Sequence, residues 1–150
     1  MKIVVINGPS LKSLGKRDLD VFGRNDYDFL CQMIMKKAAQ VNVLVEIYQS
    51  NHEGDLIDKI LACAEDATSG IVINPGAYAH YSYSIYDALR SMDFCKVEVH
   101  IADMYNRDEP WRKNSVTAEA CDRLIMGKGF DGYLEAIDFI MENSPQDAEE

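Results

Sequence analysis

The sequence predicts an α/β fold, a doubly wound five-stranded parallel sheet in a single domain. Short apolar, β-branched runs alternate five times with segments whose apolar residues recur at helical spacing. Such alternation builds β-α units, because parallel strands need crossover connections. The 150 residues suit one domain with one continuous core, and no apolar window reaches the roughly 18 residues of a membrane span.

Lys2 to Ile6 is the first strand, closed by Asn7-Gly8-Pro9. Residues 8–24 follow as a loop holding Gly15, Gly23 and the charges Lys12, Lys16, Arg17, Asp18, Asp20 and Arg24. A connection that long is usually functional. With Lys16-Arg17 as charge and the glycines as hinges, it is expected to be a lid. A helix over about 26–40 places Tyr27, Leu30, Cys31, Ile34, Ala38 and Val41 on one face, with Asn25 or Asp26 as its N-cap. Val43 to Tyr48 is the second strand, and a helix over about 54–66 carries Leu56, Ile57, Ile60, Leu61 and Ala64. Gly70 to Ile73 is a short apolar run, as expected of a strand buried on both faces. A helix over Tyr81 to Met92 begins near Ser82 or Ser84. Lys96 to His100 is the fourth strand, followed by a loop with Arg107, Trp111 and Arg112 and a helical turn near Thr117 to Cys121. Arg123 to Met126 is the fifth strand, and the last helix, about 131–142, buries Leu134, Ile137, Phe139 or Ile140, and Met141. The domain is thus 1–142, and the acidic tail 143–150 is expected to fray.

Five such units default to right-handed crossovers and the flavodoxin-like order 2-1-3-4-5. Ligands of such sheets bind beyond the carboxyl ends of the strands, where the order reverses. That rim gathers Asn7 to Gly23, Asn74 to His80 and Glu98 to Arg112. It holds two imidazoles, an amide, three guanidiniums and a carboxylate. This set suits a small hydroxylated carboxylate and proton-transfer chemistry, with no metal and no nucleophile. Glu98 and His100, two apart on a strand, share one face, so the carboxylate can orient and polarise the imidazole.

Other uses of the fold fit less well. A phosphoacceptor receiver needs acidic residues after the first strand, where Ile6-Asn7-Gly8 stands. Ser10, Ser13, Lys12 and Lys16 are a weak phosphate loop for a flavin, and Gly-x-Gly-x-x-Gly is absent. A net charge of -10 argues against nucleic-acid or anionic-membrane partners. Cys31, Cys63, Cys95 and Cys121 stand about 30 residues apart without zinc spacing, which is expected of packed, reduced thiols. Met1 to Asn7 reads as a strand and not as a signal peptide, so the expected compartment is the cytoplasm.

Several segments in order carry a resemblance: Ile6-Asn7-Gly8-Pro9, Leu14-Gly15-Lys16-Arg17, Gln49-Ser50-Asn51-His52-Glu53-Gly54, Ile73-Asn74-Pro75-Gly76-Ala77-Tyr78-Ala79-His80, Val97-Glu98-Val99-His100, Arg112-Lys113-Asn114-Ser115 and Gly132-Tyr133. Over about residues 1–140 the chain resembles the type II 3-dehydroquinate dehydratases. The resemblance implies a cofactor-free hydro-lyase, assembled as a dodecamer of trimers. It implies loss of water from 3-dehydroquinate through an enolate, without a Schiff base. In that family a lid tyrosine takes the proton beside the ketone, a lid arginine lowers that tyrosine's pKa, and an asparagine after Gly-Pro steadies the enolate. The histidine of Glu-Val-His protonates the leaving hydroxyl. Carried over, Arg17 is the lid arginine, His100 the general acid and Glu98 its partner. Asn74, His80, Arg112 and the amides of Ile101 and Ala102 bind substrate, and Asp87 reaches a neighbouring subunit's site.

The sequence departs from the family at the chemistry. Phe22 stands where the base tyrosine is expected, Ser10 replaces the enolate-steadying asparagine, Ala102 replaces a serine, and one residue is inserted near Pro110. The resemblance therefore implies an enzyme impaired at its base or, alternatively, a relative that binds a related cyclic hydroxy acid without turnover. Tyr81 and Tyr105 are the tyrosines open as substitutes for the base.

Overall fold

The computed structural model describes residues 1–145. Its strands are β1 (Lys2–Asn7), β2 (Leu44–Gln49), β3 (Gly70–Asn74), β4 (Cys95–His100) and β5 (Arg123–Met126). Its α-helices are α1 (Leu19–Phe22), α2 (Tyr27–Val41), α3 (Glu53–Ala62), α4 (Tyr83–Arg90) and α5 (Asp131–Asn143). All strand pairs are parallel, in the order β2-β1-β3-β4-β5. This is the expected topology, and it puts the reversal between β1 and β3.

The period of two along each strand divides the core in half. Ile3, Val5, Val72, Val97 and Val99 meet Leu30, Ile34, Tyr133 and Ile137 of α2 and α5 on one face. Val4, Ile6, Ile71 and Ile73 meet Leu56, Ile60, Ile85 and Leu89 of α3 and α4 on the other. Since Val97 and Val99 face the first layer, Glu98 and His100 must face the second. The last strand-to-strand crossover is covered there by a 3-10 turn, Thr117–Ala120, rather than by a full helix.

Local chemistry explains the boundaries. Asp26 caps α2 by accepting from Phe29 N at 2.8 Å, and Ser82 caps α4 by accepting from Ile85 N at 3.1 Å. α4 starts two residues later than expected because Gly76–His80 forms its own 3-10 turn, and it ends at Arg90 rather than Met92. α3 stops at Ala62 rather than 66, and the chain turns through Ala67 at φ 61. In α5 the buried set is Tyr133, Ala136, Ile137 and Ile140, whereas Leu134 and Met141 are half-buried. The core stripe of α5 therefore starts one residue earlier than the sequence suggests. Asn143 belongs to α5 and Ser144 is buried, so the chain is ordered past 142; the rest of the expected frayed tail, 146–150, lies outside the described residues.

The loop after β1 is not one uniform lid. Leu11 and Leu14 sink into the core, and Gln49 Nε2 donates to Gly8 O at 3.0 Å. These contacts tie residues 8–14 to the core, and α1 lies in the segment that follows, between Gly15 and Gly23. Gly23, at φ 82 and ψ -176, holds a conformation open essentially only to glycine. Gly8 has a different role: a Cβ there would meet Pro75 O at 2.6 Å, so only glycine lets the loops after β1 and β3 touch. Among the described residues, no helix is long and apolar enough to cross a membrane.

Candidate active site

The cavity lies at the β1/β3 reversal, beyond the carboxyl ends of the strands, and has a volume of about 220 Å³. It is a concave cleft of the kind that takes a small ligand. Its polar lining comes from Ser10, Arg17 and Asp18 of the lid loop, Asn74 and His80 after β3, and His100, Arg107 and Arg112 at and beyond β4. Phe22, Ile101 and Ala102 also line it, and no lysine does. Nine of the eleven sequence-derived site residues are therefore on one wall or another of a single cavity. The other two are Glu98, which stands behind His100, and Asp87, which is exposed on α4 and lines none of it.

Glu98 is fully buried, which is costly for a carboxylate unless donors surround it. Three do. His100 Nε2 lies 2.8 Å from Oε2, Ser115 Oγ donates to the same oxygen at 2.5 Å, and Thr117 Oγ1 donates to Oε1. A carboxylate only accepts, so Nε2 carries the hydrogen of that bond. Nδ1 is then the nitrogen of His100 left to exchange a proton with a ligand.

His80 is fixed the opposite way round. Its Nδ1 lies 2.7 Å from Asn114 O and donates to it, which leaves Nε2 as an acceptor. Burial lowers the His80 pKa below the ordinary value, more than the Asn114 carbonyl raises it. The ring stacks beside His100 at 6.3 Å and meets the edge of Trp111 at 5.3 Å. Trp111 in turn carries Arg112, whose Cζ stands 4.2 Å above the indole and whose Nε pairs with Glu109 at 2.9 Å. Pro110–Lys113 forms a 3-10 turn, and Arg112 on it lines the cavity.

Asn74 is nearly fully buried and held at both ends of its amide. Oδ1 accepts from Gly76 N at 3.1 Å, and Nδ2 donates to Tyr133 Oη at 2.9 Å. Tyr133 Oη donates to Asn7 Oδ1 at 2.7 Å, and Asn7 Nδ2 donates to Tyr27 Oη at 3.3 Å. Burial raises both phenols, that of Tyr27 to about 12, so they are fixed as neutral hydrogen-bonding groups. This relay was not visible in the sequence, because its four members come from β1, α2, β3 and α5.

On the lid side, the Arg17 and Arg107 guanidiniums stand over the Phe22 ring at 4.8 and 5.3 Å. Arg17 Nε is buried without a partner among the described residues. Burial and the neighbouring Arg112 lower the Arg107 pKa. Three guanidiniums around one cavity, with only Asp18 to offset them inside it, favour an anionic ligand. Tyr81 and Tyr105, at 58% and 63% exposed, do not line the cavity, so neither is placed to act as a base there. Burial holds all four thiols above their ordinary range, in keeping with packing rather than nucleophilic roles. Ser10 sits at φ 67, a left-handed conformation that asparagine tolerates better than serine. The sequence places Asp18 and Arg107 on the rim loops without a role, and both line the cavity.

Comparison with known proteins agrees with this geometry. Residues 1–141 match the family model for class II dehydroquinases. A 3-dehydroquinate dehydratase of Thermotoga neapolitana is 48% identical over 146 residues, covering 97% of this chain and 98% of the relative. The crystal structure of a type II dehydroquinase from Butyrivibrio crossotus superposes with a TM-score of 0.92 at 49% identity, covering 94% of this chain and 97% of that one. A 3-dehydroquinate dehydratase-like protein from Bifidobacterium longum is more distant, with a TM-score of 0.69 at 26% identity over 95% and 96% of the two chains. By fold, by coverage and by the residues gathered at the rim, the chain belongs to the class II dehydroquinase family.

Proposed function

We propose that the protein dehydrates 3-dehydroquinate to 3-dehydroshikimate, as a step toward aromatic amino acids, at a rate held down by Phe22. The observation that carries this reading is the single cavity that joins His100, backed by buried Glu98, to Asn74, His80 and three guanidiniums. Arg112 and the amides of Ile101 and Ala102 hold the carboxylate and ring hydroxyls. His80 Nε2 accepts a hydroxyl hydrogen, and Asn74 presents what remains of its amide. Removal of the proton beside the ketone gives an enolate, which Ser10 steadies through a water. His100 Nδ1 then protonates the departing hydroxyl. The absence of a lysine from the lining leaves no amine for a Schiff base, so the enolate is the only covalent state required. General acid-base assistance contributes typically 10²- to 10⁴-fold, or about 3–5 kcal/mol of barrier, and Phe22 has no group to supply it.

The second reading is a protein that binds a related cyclic hydroxy acid without turnover, and the Phe22 ring, in contact with two guanidiniums where the family has a phenol, favours it. Incubation with 3-dehydroquinate separates the two. A rising ultraviolet absorbance of the conjugated enone supports the enzyme. Protection against heat without absorbance supports the binder. Neither signal would remove 3-dehydroquinate as the ligand.

Asp87, exposed and apart from its own cavity, is read as a contact to a neighbour's site in trimers stacked into a dodecamer. Sedimentation is expected to give a mass twelve times the 16.9 kDa subunit. The net charge of -10 and the four free cysteines support a cytoplasmic protein that associates with neither nucleic acid nor membrane.

A further inference from the structure

We propose that Asp18 is the base that takes the proton beside the substrate's ketone in this chain. The proposal rests on the dehydration of 3-dehydroquinate assigned above, and it names the group that serves where Phe22 cannot.

Only three side chains lining the cavity can accept a proton, namely Asp18, His80 and His100, since the arginines stay charged. His100 is committed to Glu98 through Nε2 and delivers a proton through the other nitrogen. His80 stacks against His100 and therefore belongs to the acid's wall. Asp18 belongs to the lid, on the same short helical turn as Phe22. Its carbonyl accepts from Phe22 N at 3.0 Å, so the two residues stand one turn apart. Both side chains line the cavity. One guanidinium serves both: Arg17 Nη1 is 3.6 Å from Asp18 Oδ2, and its Cζ is 4.8 Å from the Phe22 ring centroid.

The contact to Arg17 is long for a hydrogen bond. No hydrogen bond to the Asp18 carboxylate is found among the described residues, so its oxygens remain free to receive a proton. The backbone at φ 42 and ψ 50 is left-handed, which is uncommon outside glycine. The groups facing Asp18 across the cavity are Arg17 on the lid, Arg107 and Arg112 beyond β4, and the two histidines.

Carboxylates do this chemistry elsewhere: both ketosteroid isomerase and triosephosphate isomerase remove a proton beside a carbonyl with one. In the step proposed here, the C–H bond beside the ketone breaks and its proton passes to Asp18. The electron pair becomes the enolate double bond, with the charge on the ketone oxygen. That pair then returns to expel the β-hydroxyl, which takes a proton from His100 and leaves as water. Asp18 gives its proton to solvent and His100 regains one, so nothing is oxidised or reduced.

The test measures kcat and substrate dissociation constant for the native chain, Asp18→Asn, Phe22→Tyr and the double variant, with a heat melt of each as a folding control. Asp18→Asn is expected to lower kcat by 10²- to 10⁴-fold and to leave 3-dehydroquinate binding unchanged. In the Phe22→Tyr background the same change is expected to cost far less, because a phenol then does the task. An equal loss in both backgrounds overturns the proposal, since Asp18 would then act through Arg17 or through the lid's shape. Native kcat in Asp18→Asn also overturns it. A native chain that binds 3-dehydroquinate without turnover overturns it while leaving the ligand assignment standing. If no variant binds 3-dehydroquinate, the assignment of substrate fails and the proposal falls with it.

Discussion

His80 shows how a single residue ties binding to stability. Its Nδ1 is spent on the Asn114 carbonyl, and burial lowers its pKa below the ordinary value. Below about pH 6.5 the unfolded chain takes up a proton at this position that the folded chain does not. Stability from this group is therefore fully present above that pH and is lost as pH falls through the folded value. Thermal melts between about pH 5 and 7.5 should show a melting temperature that drops toward acid, and His80→Asn should flatten that slope. Glu46, lowered mainly by its bond from Lys59, and Asp66, lowered mainly by Thr68, lose their contributions only at more acid pH. The same scale shows what the sequence could reveal. The pairing of Glu98 with His100 was legible because strand period alone sets it. The donations from Ser115 and Thr117 to Glu98 were not, because they come from a loop that only the fold brings back.

At the scale of elements, the relay from Asn74 through Tyr133 and Asn7 to Tyr27 stitches β3, α5, β1 and α2 together. Every member sits where an unpaired polar group would be expensive. Tyr133→Phe removes the hydroxyl that both satisfies Asn7 and accepts from Asn74. It is expected to cost about 1–3 kcal/mol of stability in urea unfolding. If Asn74 binds substrate as proposed, the change should also raise KM more than it lowers kcat. An unchanged KM would make the relay purely structural. Helix positions were legible from the 3.6-residue period, but the buried stripe of α5 was shifted by one residue. Leu134 and Met141 look more apolar than Tyr133, yet the phenol is fully buried because a polar relay awaits it. The long loop after β1 was legible from its length, but the burial of Leu11 and Leu14 was not, because their partners come from the far end of the fold.

Over the whole molecule, topology explains most of what could be anticipated. A 2-1-3-4-5 parallel sheet has one reversal, and the loops after β1, β3 and β4 converge there. That convergence was enough to collect Arg17, Asn74, His80, His100 and Arg112 before any coordinate was known. Asp18 has no role legible in the sequence, because a charged residue beside an arginine in a long loop reads as solvated surface. Its place on the cavity wall depends on a left-handed turn that sequence pattern does not encode.

On the reading proposed above, Phe22 leaves this class II dehydroquinase without the family's usual base. The most direct measurement is kcat of Phe22→Tyr against the native chain, followed by enone absorbance from 3-dehydroquinate. Native turnover is expected to be slow and to rise about 10²-fold or more when a phenol stands beside Arg17 and Arg107. A Phe22→Tyr variant that folds, binds 3-dehydroquinate and is no faster than the native chain would contradict it.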